Sequence, residues 1–170
     1  MNAHPADGVA TARAVAETVT DPELPMVTLA ELGVLREVDV MGGYVEVSIT
    51  PTYTGCPALD AMRDDLRARL REAGYRDVRV RTVLDPPWTT DWISESGRAK
   101  LAAAGVSPPG PAPRRAAGPI PLTLGPVRRI PCPRCGSADT AELSRFGATA
   151  CKSLHRCGGC GEPFEHVKEI

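Results

Sequence analysis

The chain has 170 residues, 42% hydrophobic and only 4% aromatic, with a formal net charge of −1. That length suits one ordinary domain or two small ones, with any core built on Val, Leu and Ala. No apolar run approaches a membrane span, and "MNAHPADGVATARAVAET" lacks the basic and apolar regions of a signal peptide, so the expectation is a cytoplasmic protein with no membrane partner.

In chain order, residues 8–19 place Val9, Ala12, Ala16 and Val19 on one stripe of a short helix. "TDPELP" (20–25) breaks it with two prolines, and a helical turn around Leu29 to Leu32 ends at Gly33. "VLREVDV" (34–40) and "YVEVSIT" (44–50) read as strands joined by Gly42-Gly43, a hairpin turn. In the second strand Val45, Val47 and Ile49 alternate with polar residues, so one face is expected to be buried. "CPALDAMRDDLRARLREAG" (56–74) is the clearest helix, with Pro57 suited to the first helical position and Gly74 to the residue that ends it. Its apolar stripe is Leu59, Met62, Leu66 and Leu70. "DVRVRTVL" (77–84) is a third strand, "DPPWTTDW" (85–92) a loop, and about Ile93 to Ala104 a last short helix ended by Gly105. The order α-β-β-α-β-α predicts a small α+β domain over 1–105, a mixed sheet with helices.

Residues 106–131 carry eight prolines, three glycines, four arginines and no acid, and read as a linker. Beyond it, "CPRCG" (132–136) and "CGGCG" (157–161) are two CxxC turns. Each presents two thiolates on one face, and together Cys132, Cys135, Cys157 and Cys160 supply the tetrahedral set that Zn²⁺ accepts in a structural site. The stretch between them fits a hairpin, "TAELSRF" and "CKSLHR" about a turn at "GATA", so 132–170 is expected to be a zinc ribbon of β-hairpin type. Spacing alone leaves an iron–sulfur cluster on the same thiolates open. Cys151 reads as a hairpin cysteine and His155 as a surface histidine.

The charge distribution bears on partners. Residues 1–105 balance to −5, 106–131 to +4 and 132–170 to zero. A ribbon without basic excess and with few aromatics argues against a nucleic-acid module. The three histidines are remote in sequence from Cys56, so no nucleophile–base pair emerges and a catalytic role for this chain alone is not expected. Cys56 itself has two readings: a small buried hydrophobe, or a thiol at a helix start whose thiolate the helix dipole favours, tempered by the donor Pro57 removes.

"TDPELP", "ELGVLREVDV", "VEVSITPTYTGCPALDAM" and a strand ending in "DPPW" resemble the SufT-type domain of iron–sulfur assembly proteins. Asp21, Pro22 and Glu23 match that family's "DPE" turn, and Thr54, Gly55, Cys56 and Pro57 its cysteine loop. With "DPPWTTDWISESGRAKLAAAGVSPP", "CPRCGS" and "SRFGATACKSLHRC", nearly the whole chain is similar to the D-subunit family of phenylacetyl-CoA 1,2-epoxidase systems. The resemblance implies a non-catalytic accessory subunit in aerobic phenylacetate degradation. It would assist iron–sulfur cluster or iron insertion into a reductase or oxygenase component, with Cys56 as a transient iron or cluster ligand and Asp21 and Glu23 as added carboxylates. One thiolate is too few for a stable cluster site, which implies completion by a partner, a small thiol or a second copy of the chain, as in a homodimer. Purely structural docking onto the oxygenase is the rival reading, and a capping turn the rival for Asp21 and Glu23. The chain has neither paired ExxH motifs for a di-iron site nor a GxGxxG nucleotide loop.

Overall fold

The computed structural model describes residues 5–112 and 129–170, which form two compact units, Met1–Gly97 and Arg98–Ile170. The first unit contains α1 (Pro5–Ala16), β1 (Leu35–Met41), β2 (Tyr44–Ile49), α2 (Leu59–Glu72), β3 (Asp77–Thr82) and a 3-10 turn at Thr90–Trp92. Helix α3 (Glu95–Ala103) crosses the division between the units. The second unit contains β4 (Val106–Ser107), β5 (Thr140–Ser144), β6 (Lys152–Cys157) and β7 (Pro163–Val167).

In the first unit β2 is the central strand of three, antiparallel to β1 and parallel to β3. Gly42 and Gly43, at φ 53° and 95°, make the tight β1–β2 turn. Helix α2 provides the crossover that a parallel β2–β3 pair requires. Val45, Val47 and Ile49 are fully buried, as their alternation predicts, and Met62, Leu66 and Leu70 of α2 are buried too. Helix α1 packs on β1 and α2, bringing in Ala12 and Ala16.

Burial on β2 exceeds a one-faced pattern. Ser48 is buried as well, and so is Thr50 just beyond the strand, whose N–H bonds the Val34 carbonyl at 2.9 Å. Helix α2 also begins later than expected. Cys56 and Pro57 lie in a turn in which the Leu59 N–H reaches the Cys56 carbonyl at 3.3 Å, and Ala58 is the N-cap. Pro57 is therefore not the first helical residue, and the buried stripe starts at Ala58 while Leu59 is half-buried. Gly74 ends α2 as expected: Tyr75 N–H bonds the Leu70 carbonyl and Gly74 N–H the Arg71 carbonyl, the paired bonds of a Schellman motif.

The second unit is larger than a hairpin. Its sheet runs β4-β7-β6-β5, with β4 parallel to β7 and the other pairs antiparallel. The proline-rich composition points to a linker from residue 106, but Val106 and Ser107 pair with Glu165 and His166. Ile130 is part of the same unit, its carbonyl accepting from the Thr140 hydroxyl at 2.7 Å. Two residues suffice for a strand when a neighbouring edge offers ladder partners, and proline content does not reveal that edge. The rest of the expected linker, 113–128, lies outside the described residues.

Gly33 fixes the meeting of the helical turn and the 3-10 turn. Its φ is +71°, and an added Cβ would lie 2.5 Å from the Trp92 Cβ. Gly74, at φ +98°, faces open space. Gly33→Ala is expected to destabilise the first unit by roughly 3 kcal/mol or more, through strain plus clash, and Gly74→Ala by about 1 kcal/mol through strain alone. Urea unfolding followed by tryptophan fluorescence measures both, since Trp88 and Trp92 lie in this unit; equal losses would remove the close approach from the account.

Candidate functional site: a four-sulfur centre and a cysteine loop

Each CxxC turn in the second unit is built the same way. Gly136 N–H bonds the Cys132 carbonyl at 2.9 Å, and Gly161 N–H bonds the Cys157 carbonyl at 3.0 Å. Both glycines have positive φ, 72° and 77°, which reverses the chain directly after the second cysteine. The turns face each other, so Cys132, Cys135, Cys157 and Cys160 gather with all four sulfurs within 4.8 Å. Cys132 and Cys160 sulfurs stand 3.8 Å apart, and Cys135 and Cys157 sulfurs 3.5 Å. A tetrahedron with metal–sulfur bonds of about 2.3 Å has edges of about 3.8 Å. The donor set therefore fits one tetrahedral thiophilic ion, whereas a multi-iron cluster distributes its cysteines over several irons.

Burial divides the set. Cys132 and Cys157 are buried and pack with Phe164 and Ile130, while Cys135 and Cys160 are exposed. The thiols hold their protons unequally. For Cys135 the strongest influence, the Ser137 N–H, pulls downward, yet the Cys157, Cys160 and Cys132 thiols and desolvation together push it up to about 12. Cys157 is drawn down to about 6, chiefly by the Cys160 N–H on its sulfur at 3.4 Å, against desolvation. The hydrogen bonds at the sulfurs thus favour the thiolate at Cys157 and the thiol at Cys135.

Cys151 lies outside this set, 3.1 Å from the Thr149 hydroxyl. His155 is not a surface residue: it is 6% exposed, stacked on Phe164 with ring centroids 5.6 Å apart. Position 155 faces inward because its Phe164 cross-strand neighbour on β7 does, and a hairpin read alone has no β7 to cover it.

The first unit holds the other expected residues. Asp21 is 5% exposed and caps its own loop: one carboxylate oxygen accepts from the Glu23 and Leu24 N–H groups, each at 2.8 Å. Asp21 N–H in turn bonds the Val27 carbonyl, and Thr20 bridges Thr28 to close the loop. Glu23 is half-buried. Thr28 and Glu31 form a reciprocal capping box at 3.0 and 3.1 Å, a pattern present in the sequence as T-x-x-E. Cys56 is a half-buried thiol after Gly55, which has φ +87°, in the loop leaving β2. Among the described residues the four ribbon cysteines are the metal-type cluster; Asp21, Glu23 and Cys56 are not gathered into one.

Comparison with known families matches residues 10–84 to a family of iron–sulfur cluster assembly proteins and residues 116–168 to the PaaD zinc beta ribbon domain. The class is thus an iron–sulfur assembly domain joined in one chain to a four-cysteine ribbon. A protein from Escherichia coli described as the D-subunit of 1,2-phenylacetyl-CoA epoxidase is 41% identical over 157 residues, covering 92% of this chain and 90% of that one. The chain belongs to this D-subunit family of phenylacetyl-CoA epoxidases. An iron–sulfur protein maturation auxiliary factor of Porphyromonas gingivalis is 36% identical over 86 residues, covering 49% of this chain and 81% of that one. The crystal structure of a domain of unknown function from Bacillus anthracis superimposes with a TM-score of 0.53 at 25% identity, covering 57% of this chain and 93% of that domain. No helix among the described residues is long and apolar enough to cross a membrane.

Two outcomes test the centre. Cys157→Ser is expected to abolish stoichiometric metal binding and Cys151→Ser to leave it intact, read by elemental analysis of the purified full chain. Metal uptake is expected to release protons, because thiolates bind the ion and thiols do not, and Cys157, drawn down to about 6 in the closed ribbon, gives up its proton first. Its depressed value favours the thiolate above that pH. Acidification through it returns the proton, so metal affinity falls as pH falls; affinity that rises on acidification would contradict the thiolate set.

Proposed function

We propose that this chain is an accessory maturation subunit of the phenylacetyl-CoA epoxidase system. It assists insertion of an iron–sulfur cluster, or of iron, into the reductase or oxygenase component. The observation that carries the reading is the joining, in one chain, of an iron–sulfur assembly domain and a PaaD ribbon. The domain supplies the chemistry and the ribbon the pathway context.

In this reading Cys56 is the transfer ligand. It lies at the end of the central strand, in a loop whose Gly55 takes a left-handed conformation, and it is half-buried rather than sealed in the core. One thiolate binds a cluster weakly, which suits cargo that must leave. A partner protein, a small thiol or a second copy of the chain completes the site. Asp21 stabilises its own loop through two amide hydrogen bonds, and Glu23 is the carboxylate better placed to contribute a ligand, being less buried. The ribbon cysteines hold a structural Zn²⁺, which supplies a cross-link between the two turns and no reaction chemistry.

A docking role has its own support. Among the described residues strand β5 is an edge of the ribbon sheet, and its Leu143 is 55% exposed. An apolar side chain on an open edge is the kind of feature a partner protein covers.

Cells carrying Cys56→Ala in place of the wild type are expected to yield reductase with a several-fold lower iron and sulfide content, while the variant keeps its zinc. Cells carrying Leu143→Lys are expected to lose co-purification with an epoxidase component. If Cys56→Ala leaves reductase and oxygenase metal content at wild-type levels, the transfer role fails and docking alone stands.

A further inference from the structure

The ribbon carries a cleft of about 750 Å³ that none of the roles above uses. That size lies within the range of small-molecule sites. Its floor is polar and buried: Ser153, His155 and His166 are 4%, 6% and 4% exposed. The Ser153 hydroxyl and His155 Nε2 are hydrogen-bonded at 2.9 Å. His166 donates from Nδ1 to the Ser107 carbonyl at 3.1 Å. The two imidazoles meet edge-on with centroids 5.8 Å apart, and Phe164 stacks behind His155, so the floor is fixed in place. His166 Nε2 is buried, makes no hydrogen bond of ordinary length, and is paired with Glu169 Oε2 at 3.5 Å. A buried ring nitrogen whose one partner is a long ion pair leaves its hydrogen-bonding capacity open to a ligand group.

The rim carries basic, acidic and aromatic side chains. Arg129, Arg145 and Lys168 border the cleft, and Phe146, 64% exposed, borders it with the Lys168 ammonium 4.4 Å from its ring centroid. Among the bordering acids, Glu169 accepts from the Gly110 N–H at 3.0 Å and faces His166, and the Asp139 carboxylate lies over Gly158 of the second CxxC turn. With Glu142, these acids equal the three rim cations in number, so the cleft holds separate basic and acidic positions rather than one sign of charge. An exposed ring invites stacking, guanidinium groups match phosphate oxygens in geometry, and hydroxyl and imidazole groups on a fixed floor suit a sugar hydroxyl.

We propose that this cleft binds a small phosphorylated compound with a hydroxylated sugar and a planar ring, the chemistry of a nucleotide. The phosphate lies on Arg145 and Arg129, the ring on Phe146, and a sugar hydroxyl reaches the floor. This inference is independent of metal transfer by Cys56, which lies in the other compact unit.

The test uses the metal-loaded full chain with ADP and inorganic phosphate as probes, by calorimetry and by histidine ring resonances. ADP is expected to bind with a Kd between about 10 μM and about 1 mM and to shift the His155 and His166 signals. Arg145→Ala should weaken ADP binding at least tenfold. Phe146→Ala should weaken ADP about fivefold while leaving phosphate binding unchanged. Both residues are exposed, and retained metal content shows that the variants are folded. Absence of ADP binding overturns the proposal, as does ADP binding indifferent to both substitutions. Tight binding of a hexaglutamate peptide that ADP cannot displace also overturns it, in favour of an acidic protein segment.

Discussion

Four sulfurs crowded within 4.8 Å of one another cannot all carry charge without a cation between them. The turns that carry the sulfurs depend on that constraint more than on the hydrophobic cluster beside them, which among the described residues is Cys132, Cys157 and Phe164 with Ile130 alongside. Two of the three buried members of that cluster are themselves members of the sulfur set. Removing the ion therefore removes both the cross-link and the reason for the core to close, and metal binding becomes folding free energy. The first unit has a separate core built on β2 and α2, so no metal is required to explain its closure.

The two units divide the labour of the cysteines. In the ribbon, hydrogen bonds from backbone amides and glycine-reversed turns aim sulfurs inward at one point. In the first unit, Cys56 stands in a loop that departs from a buried strand, with a left-handed glycine before it and proline after it. Its neighbours restrict the backbone without surrounding the sulfur by other ligands of this unit. A resident metal needs the first arrangement and a passing one the second, which is the physical content of the transfer reading.

Much of the fold was legible because local chemistry and global packing agree. The Gly42-Gly43 turn, the alternation along β2, the stripe through Leu70 and the Gly74 stop each follow from rules of period or dihedral freedom. The four-cysteine site was legible for the same reason: CxxC spacing forces two sulfurs to one side of a tight turn. The start of α2 was less so, since proline tolerates both the first helical turn and the turn preceding it. The pairing of Val106–Ser107 with β7 was not legible at all, as a two-residue strand has no period of its own.

Spacing along the chain was enough to establish the type of the longer elements of the first unit, the β5–β6 hairpin, the pairing of the two CxxC turns and the family, because each rests on residues close together in sequence or on a repeated motif; β7 was not among them. It took the folded arrangement to show that Asp21 commits a carboxylate oxygen to its own loop, that His155 is interior, and that β4 extends the ribbon sheet. Those outcomes depend on which residues come within hydrogen-bond or stacking range. The burial of His155, for example, is set by Phe164 on the neighbouring strand, nine positions away, and not by Leu154 or Arg156 beside it.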